Sequence, residues 1–314
     1  MSAAIRTALV VTNRLSGLGR GQDSAAAAVA RLSAGGVEIT EIRAASAAES
    51  VRLVRDSLTD AGRRPDAVIC VGGDGLINVT LDALANTGVP LGLIPSGTGN
   101  DLARALGVPT DDPVAAAEVV LAGRTRVIDL GRLESTGVEP MWFATVTGTG
   151  FDARVTLRAN AMRRPKGPAR YSLAALAELA SGLAVPYRIE LSGVAVGQLD
   201  NPPADTVLET EAVLVAIGNS RTYGGGMLIC PDAEMDDGLL DITVVGKVSR
   251  WKMLELLPAL SSGKRIDHPA TRRYRVARVT LSAPGAPATT DGEPAGMLPA
   301  TLSAVPGALT VLAR

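Results

Sequence analysis

The chain has 314 residues, 46% of them apolar and 20% charged, with a formal charge of −1 and a mean hydropathy of +0.23. That length suits two domains with cores of their own, because single cores seldom grow beyond roughly 250–300 residues. A pI of about 6.0 gives no basic field for nucleic acid, and two cysteines with one histidine exclude a disulfide framework or a Cys/His zinc centre. A Ser-His-Asp triad could use only His268, which sits beside Pro269 in a loop-like stretch. Met1 to Val11 lacks the make-up of a signal peptide, and no window approaches the roughly 18–20 apolar residues of a membrane span. The expectation is a cytoplasmic protein that meets a membrane only from its surface.

Strand and helix signals alternate from the start. Thr7 to Val11 reads as a strand, followed by the Gly, Ser and Asn loop Thr12 to Gly21 and an Ala-rich helix over Asp23 to Leu32. Strand Val37 to Ile42, helix Ala47 to Ala61 and the wholly apolar strand Ala67 to Val71 come next. Helix Leu76 to Ala85, strand Leu91 to Ile94, and helices Gly99 to Leu106 and Pro113 to Leu121 complete a pattern that implies a parallel sheet. From about Thr125 the chain changes character. Strands are expected at Val127 to Leu133, Met141 to Thr147, Tyr187 to Val196, Thr206 to Gly218, Leu239 to Val245, Tyr274 to Ser282, Ala286 to Thr290 and Leu309 to Ala313. The helices are fewer, at Phe151 to Ala161, Ala169 to Leu183 and Ser249 to Ser261. Many strands between Gly, Pro and Asp turns suggest an antiparallel sandwich or barrel, with the hinge near Gly123 to Val127.

Two glycine-rich turns lie at the carboxyl ends of successive strands, where open α/β sheets bind ligands. The first is Gly72-Gly73-Asp74-Gly75; the second is Pro95-Ser96-Gly97-Thr98-Gly99-Asn100-Asp101. Glycine lets backbone N–H groups approach an anion, so these turns suit phosphate. A structural alternative exists for each acid: Asp74 as a helix cap, Asp101 as a favourable first-turn charge, with Ser96 or Thr98 capping the helix. Two carboxylates at adjacent strand ends also suit a magnesium ion that organises nucleotide phosphates. No lysine precedes Lys166 and there is no GxxxxGK[ST] run, which excludes a P-loop. Further on, Gly224-Gly225-Gly226 leads into the acidic run Pro231 to Asp241, either an acidic turn or oxygen ligands for a hard cation. Asp291-Gly292-Glu293 reads as a hairpin turn or as the source of a general base, since carboxylates are the credible bases in a chain with one histidine.

Taken together, Gly72-Gly73-Asp74-Gly75, Pro95 to Arg104, Gly148-Thr149-Gly150-Phe151-Asp152, the Gly224 to Asp241 run and Asp291-Gly292-Glu293-Pro294 resemble the soluble diacylglycerol kinase family. Sphingosine and ceramide kinases share that catalytic domain. The resemblance covers nearly the whole chain in the expected order. It implies an N-terminal α/β domain over 1–124, like that of NAD kinase and 6-phosphofructokinase, with a parallel sheet and helices on both faces. It further implies a C-terminal antiparallel β-sandwich for the lipid substrate over 125–314, and ATP in the cleft between the two. Carried over by motif, Asn13, Arg14, Leu15, Ser16 and Gly17, the stretch Gly72, Gly73, Asp74, Gly75 to Asn78, and Thr98 would contact ATP. Asp74 and Asp101 would hold the catalytic magnesium, and Glu293 would accept the proton, with Asp291 as the rival. A structural magnesium falls to Asp237 with the carbonyls of Glu234 and Leu239. Departures from the family pattern are Arg14, Leu76 and Val79; leucine at 76 is the sphingosine-kinase form, and Val79 replaces an acid.

The implied activity is ATP- and magnesium-dependent phosphorylation of a primary hydroxyl on a lipid, with diacylglycerol first and a sphingoid base second. A nucleotide- or lipid-binding module without turnover is the alternative from another class. The substrate would be met at a membrane surface. Ser249 to Leu257 and the basic cluster Arg163-Arg164-Pro165-Lys166 ahead of helix Ala169 to Leu183 are the candidate contacts, ordinary packing being the other account of both helices. A homodimer is admitted, and nucleic acid is not.

Overall fold

The computed structural model describes residues 4–13, 20–44, 46–60, 62, 64–162, 164, 169–179, 184–261, 263–265 and 267–314. The chain forms two compact units, Met1–Leu130 with Pro306–Arg314, and Gly131–Val305.

The first unit is built on strands β1 (Thr7–Asn13), β2 (Glu38–Ala44), β3 (Ala67–Gly72) and β4 (Leu91–Pro95), with helices α1 (Arg20–Ala34), α2 (Ala47–Thr59), α3 (Asp74–Leu84), α4 (Asp101–Ala105) and α5 (Pro113–Leu121). The strands run parallel in the order β2-β1-β3-β4. All six residues of β3 are buried, as an apolar strand requires when both sheet faces are covered. Helix α1 packs with α5, and α2 with α3. Local chemistry sets the ends: Ser46 caps α2 by accepting from Glu49 N–H, and Asp112 caps α5 ahead of Pro113. Strand β1 pairs with β2 on one side and β3 on the other, which puts the topological switch point at the carboxyl ends of β1 and β3.

In the second unit the strands from Val138 to Met297 pair antiparallel among the described residues. Strand β5 (Thr125–Ser135) leads into it, followed by β6 (Val138–Phe143), β7 (Val146–Gly150), α6 (Phe151–Ala161), α7 (Ala169–Glu178), β8 (Val185–Val194) and β9 (Thr206–Gly218). A two-stranded ribbon, β10 (Thr222–Tyr223) with β11 (Met227–Leu228), precedes β12 (Leu240–Gly246) and α8 (Arg250–Ser261). Then come β13 (Thr271–Ser282), β14 (Pro287–Thr290), β15 (Glu293–Met297) and β16 (Ala300–Leu312). Strands β8 and β12 each pair with both β9 and β13, so four strands close around the main core. Alternation places Tyr187, Ile189 and Leu191 of β8 inside. Helices α6, α7 and α8 share a second, smaller cluster with Phe151, Ala174 and Met253 at its centre.

Several elements differ from the sequence reading. The helix expected over Gly99 to Leu106 is only Asp101–Ala105, because Asn100 takes a left-handed conformation, φ +54°. Neither Ser96 nor Thr98 caps it; its N-cap residue is Asn100, which makes no side-chain cap. The single strand expected over Met141 to Thr147 is broken at Ala144–Thr145, where both N–H groups turn to the Asp291 carboxylate. Where the reading ended the first domain at residue 124, the units part at Leu130/Gly131. Residues 306–314 join the first unit: Val311 pairs with Leu91 and Ala313 N–H donates to the Arg124 carbonyl.

Candidate active site

The two glycine turns of the first unit meet backbone to backbone. Gly72 pairs with Pro95, and Ser96 N–H donates to the Gly72 carbonyl at 2.9 Å. A Cβ on Gly97 would lie 2.6 Å from Gly73 Cα, a separation that real Cβ atoms do not reach. Glycine is therefore required by the approach of one turn to the other, whatever else binds there. A Cβ on Gly72 would meet Leu76 Cδ2 at 2.8 Å, so Leu76 lies over the backbone of the first turn.

Asp74, at the start of α3, ties the turns together. Its Oδ2 accepts Asn100 N–H and its Oδ1 accepts Asp101 N–H, both at 2.8 Å. That cross-link satisfies the first N–H groups of α4, the job the sequence assigned to a hydroxyl within the turn itself. Asn100 stabilises the turn further, accepting Gly97 N–H and donating to the Gly97 carbonyl at 3.0 Å each. Asp101 is buried, and a Cβ on Gly99 would lie 2.6 Å from Asp74 Oδ2 and 3.3 Å from Asp101 Oδ2. Both carboxylates thus converge on the bare backbone of Gly99. Two carboxylates facing a backbone cradle that a Cβ would fill suit magnesium, which seldom takes an all-protein cage. Among the described residues no group of three or more His, Cys, Asp and Glu could hold a metal.

The structure brings Gly72, Gly73, Asp74, Gly75, Thr98 and Asp101 to the carboxyl ends of β3 and β4, with Thr98 exposed and Asn78 half-buried in α3. Asn13 ends β1, beside these strands; its side chain, and Arg14, Leu15, Ser16 and Gly17, lie outside the described residues. The thiol of Cys70, buried in β3, is pushed up to about 12 by its burial, which removes it from chemistry.

In the second unit, Asp291-Gly292 is the two-residue tip of the β14–β15 hairpin. Both have positive φ, +48° and +84°, and Thr290 pairs with Glu293 across the turn, the form that Asp-Gly favours. The Asp291 carboxylate accepts Ala144 N–H and Thr145 N–H at 2.9 Å each, and the Thr145 hydroxyl at 2.5 Å. Glu293, next along, is exposed. Of the two rival bases, one is therefore tied into the backbone and the other is open to solvent.

The acidic run, where the resemblance implies a structural ion, also meets an arginine. Asp237 accepts Leu239 N–H at 3.0 Å and is paired with the Arg275 guanidinium. Arg275 also reaches Asp241 at 3.3 Å and Gln198 at 3.1 Å. Glu234 lines an open cavity of about 550 Å³ beside Arg221, Asp232 and Arg275. Burial raises the Asp241 carboxyl to about 7, although Arg275 opposes the shift. Sequence reading gave no place to Arg275, which arrives on β13 with no local motif to mark it. Asp152, quoted only as part of a motif, proves buried at the start of α6; it accepts the Tyr223 hydroxyl at 2.7 Å and burial raises it to about 6.

Comparison with known proteins accords with this arrangement. Residues 7–133 match the family model described as the diacylglycerol kinase catalytic domain. Residues 145–313 match the one described as the YegS C-terminal NAD kinase beta sandwich-like domain. A diacylglycerol kinase of Mycobacterium tuberculosis (strain CDC 1551 / Oshkosh) is 42% identical over 302 residues, covering 96% of this chain and 93% of that protein. A diacylglycerol kinase of Staphylococcus saprophyticus is 28% identical over 262 residues, 81% of this chain and 80% of its own. A crystal structure of a diacylglycerol kinase from Bacillus anthracis str. Sterne has the same fold, with a TM-score of 0.68 at 20% identity, over 100% of this chain and 98% of that one. An α/β unit with its paired glycine turns, followed by an antiparallel β-rich unit, places the chain in the diacylglycerol kinase family, and the protein is a lipid kinase.

Proposed function

We propose that the protein transfers the γ-phosphoryl group of ATP to the primary hydroxyl of diacylglycerol, giving phosphatidic acid, with magnesium as cofactor. The observation that carries this reading is the convergence of Asp74 and Asp101 on Gly99 at the carboxyl ends of adjacent parallel strands. Relatives named diacylglycerol kinase along nearly the whole chain support the choice of lipid.

In this mechanism the N–H groups of the glycine turns, with Thr98, receive the phosphates; no lysine stands in the first unit to do so. Asp74 and Asp101 would hold the magnesium ion, which would supply charge neutralisation for the transferring phosphate. The lipid hydroxyl oxygen attacks the γ-phosphorus while the bond from that phosphorus to the bridging oxygen of ADP breaks. Glu293 takes the hydroxyl proton. The bonds of Asp291 to Ala144 and Thr145, beside an exposed Glu293, support the choice of Glu293 as the base. Positioning and electrostatics supply most of the rate in such transfers.

The lipid is reached at a membrane surface. No helix among the described residues is long and apolar enough to cross a bilayer. Helices α7 and α8 lie over the smaller core of the second unit and expose Tyr171, Leu173, Leu176 and Trp251, the last at 82%. Arg170, Arg250 and Lys252 flank these apolar side chains, a pairing that suits an anionic bilayer. A sphingoid base is the second reading, favoured by Leu76 over the first glycine turn.

The test is turnover with ATP, magnesium and each of diacylglycerol, monoacylglycerol, sphingosine, ceramide and phosphatidylglycerol, in micelles and in anionic vesicles. Diacylglycerol should be the preferred acceptor, and Asp74→Ala and Glu293→Ala should each lose roughly a hundredfold or more. Wild-type turnover in either variant would overturn the site, and ATP binding with no transfer to any lipid would overturn the reaction. Vesicle binding should weaken in Leu176→Ser with Trp251→Ser; unchanged binding would remove that surface.

A further inference from the structure

The tip of the β14–β15 hairpin is held from two sides. On one side, the Asp291 carboxylate is bonded by the link between β6 and β7. On the other, Asn160 Nδ2 donates to the Gly292 carbonyl at 2.9 Å. That carbonyl belongs to the peptide that joins Gly292 to Glu293. Without a partner, a glycine peptide at a hairpin tip rotates at little steric cost, and the Cα–Cβ bond of Glu293 turns with it.

Asn160 is exposed, so burial does not explain its place in the last turn of α6. The helix itself is firmly seated. Phe151, Val155 and Ala159 pack into the smaller core, and the Tyr223 hydroxyl bonds Asp152 at its start. Arg154 and Arg158 grip Glu178 of α7 at 3.2 and 2.5 Å. A seated helix thus extends one side-chain donor to the one peptide whose orientation aims Glu293.

We infer that Asn160 is a positioning residue for Glu293, fixing the Gly292–Glu293 peptide so that the carboxylate points in one direction. The inference rests on the reading of Glu293 as proton acceptor. Acting through the Gly292 carbonyl, Asn160 is expected to affect the chemical step.

Asn160→Ala and the isosteric Asn160→Asp, which lacks the amide donor, are compared with the wild type in diacylglycerol turnover. Both should lower kcat by about tenfold with the KM for ATP and for lipid unchanged, as expected when only the geometry of a reacting group is loosened. Asn160→Gln, which keeps the donor on a longer stem, should recover part of the loss. In a Glu293→Gln background, Asn160→Ala should cost nothing further, because the group it aims is gone. Thermal melting of each variant checks folding, and the kcat comparison is read on variants that melt as the wild type does. A wild-type kcat in both single variants, a change in KM without one in kcat, or a full tenfold loss on top of Glu293→Gln would each overturn the inference. A Glu293→Gln enzyme as active as wild type would instead overturn the proton-acceptor reading on which it rests.

Discussion

Asp74 closes the first turn of α4 with both carboxylate oxygens, and the proposed function asks the same carboxylate to hold a cation. The sequence offered Asp74 as a cap for its own helix or as a cation ligand; the structural role it takes is on the next helix instead. Asp152 carries a burden of another kind. Its Oδ1 accepts the Tyr223 hydroxyl, while its Oδ2 is buried with no hydrogen-bond partner among the described residues. Burial raises its carboxyl from the ordinary 3.8 to about 6, and that of Asp241 to about 7. Below about pH 4 the folded and unfolded chains hold these protons alike. As the pH rises from about 4 towards the folded value of each acid, the unfolded chain ionises while the folded one keeps its proton, so stability is lost. Asp152 alone should lower the unfolding free energy by about 1.4 kcal/mol per pH unit between those two values. Calorimetric unfolding from pH 4 to 8 should therefore show a flatter slope in Asp152→Asn than in the wild type; equal slopes would refute the assignment.

At the level of elements, most strands and helices of the first unit were legible because they carry their own local signals. Ala67 to Gly72 is apolar throughout, and Asp112-Pro113 marks a helix start. What escaped the sequence depends on partners far along the chain. Helix α4 is short because Asn100 turns left-handed, and its first N–H groups are met by Asp74, 26 and 27 positions earlier. Strands β6 and β7 part because Asp291, some 147 positions later, draws the Ala144 and Thr145 N–H groups out of the ladder. The glycine turns give the sharpest test at this scale. Gly97→Ala would drive a methyl group against Gly73 Cα, and backbone cannot yield as a flexible side chain does. It should cost about 1–3 kcal/mol of stability and most of the ATP affinity, measured by denaturant unfolding and calorimetric titration. Gly36→Ala makes the useful control, since its methyl group would meet nothing within 4 Å and only the strain of φ +86° remains. Equal ATP affinity in the two variants would show that the close approach of the turns is not what shapes the phosphate site.

For the molecule as a whole, the order of motifs was enough to identify the family, while the division into units was not readable from it. Composition shifts near Thr125, yet β5 runs on to Ser135 across the boundary. No local signal in Pro306 to Arg314 says that it returns to the first unit. There Leu309, Val311 and Leu312 are buried, Ala308 accepts Asn86 N–H at 2.7 Å, and Gly307 N–H donates to Asp129 at 2.8 Å. Each such apolar side chain contributes about 1.5–3 kcal/mol, a large share of a domain's roughly 5–15. Replacing Leu309 and Val311 by alanine should speed amide exchange in β3 and β4 and leave β9 and β12 protected; uniform loss across both units would contradict the division.

Strand β16 starts in one unit, where Ala300 to Ser303 pair with β13, and finishes in the other, where Val311 pairs with Leu91. This imposes a schedule on biosynthesis. The nucleotide-binding half is translated first, but its sheet waits for a strand more than two hundred positions further on. A nascent chain stalled before residue 306 would hold both glycine turns and still leave Leu91 and its neighbours without their cover. The first half to leave the ribosome is thus the last to be finished, and any competence to bind nucleotide should appear late, when nearly the whole chain has been released.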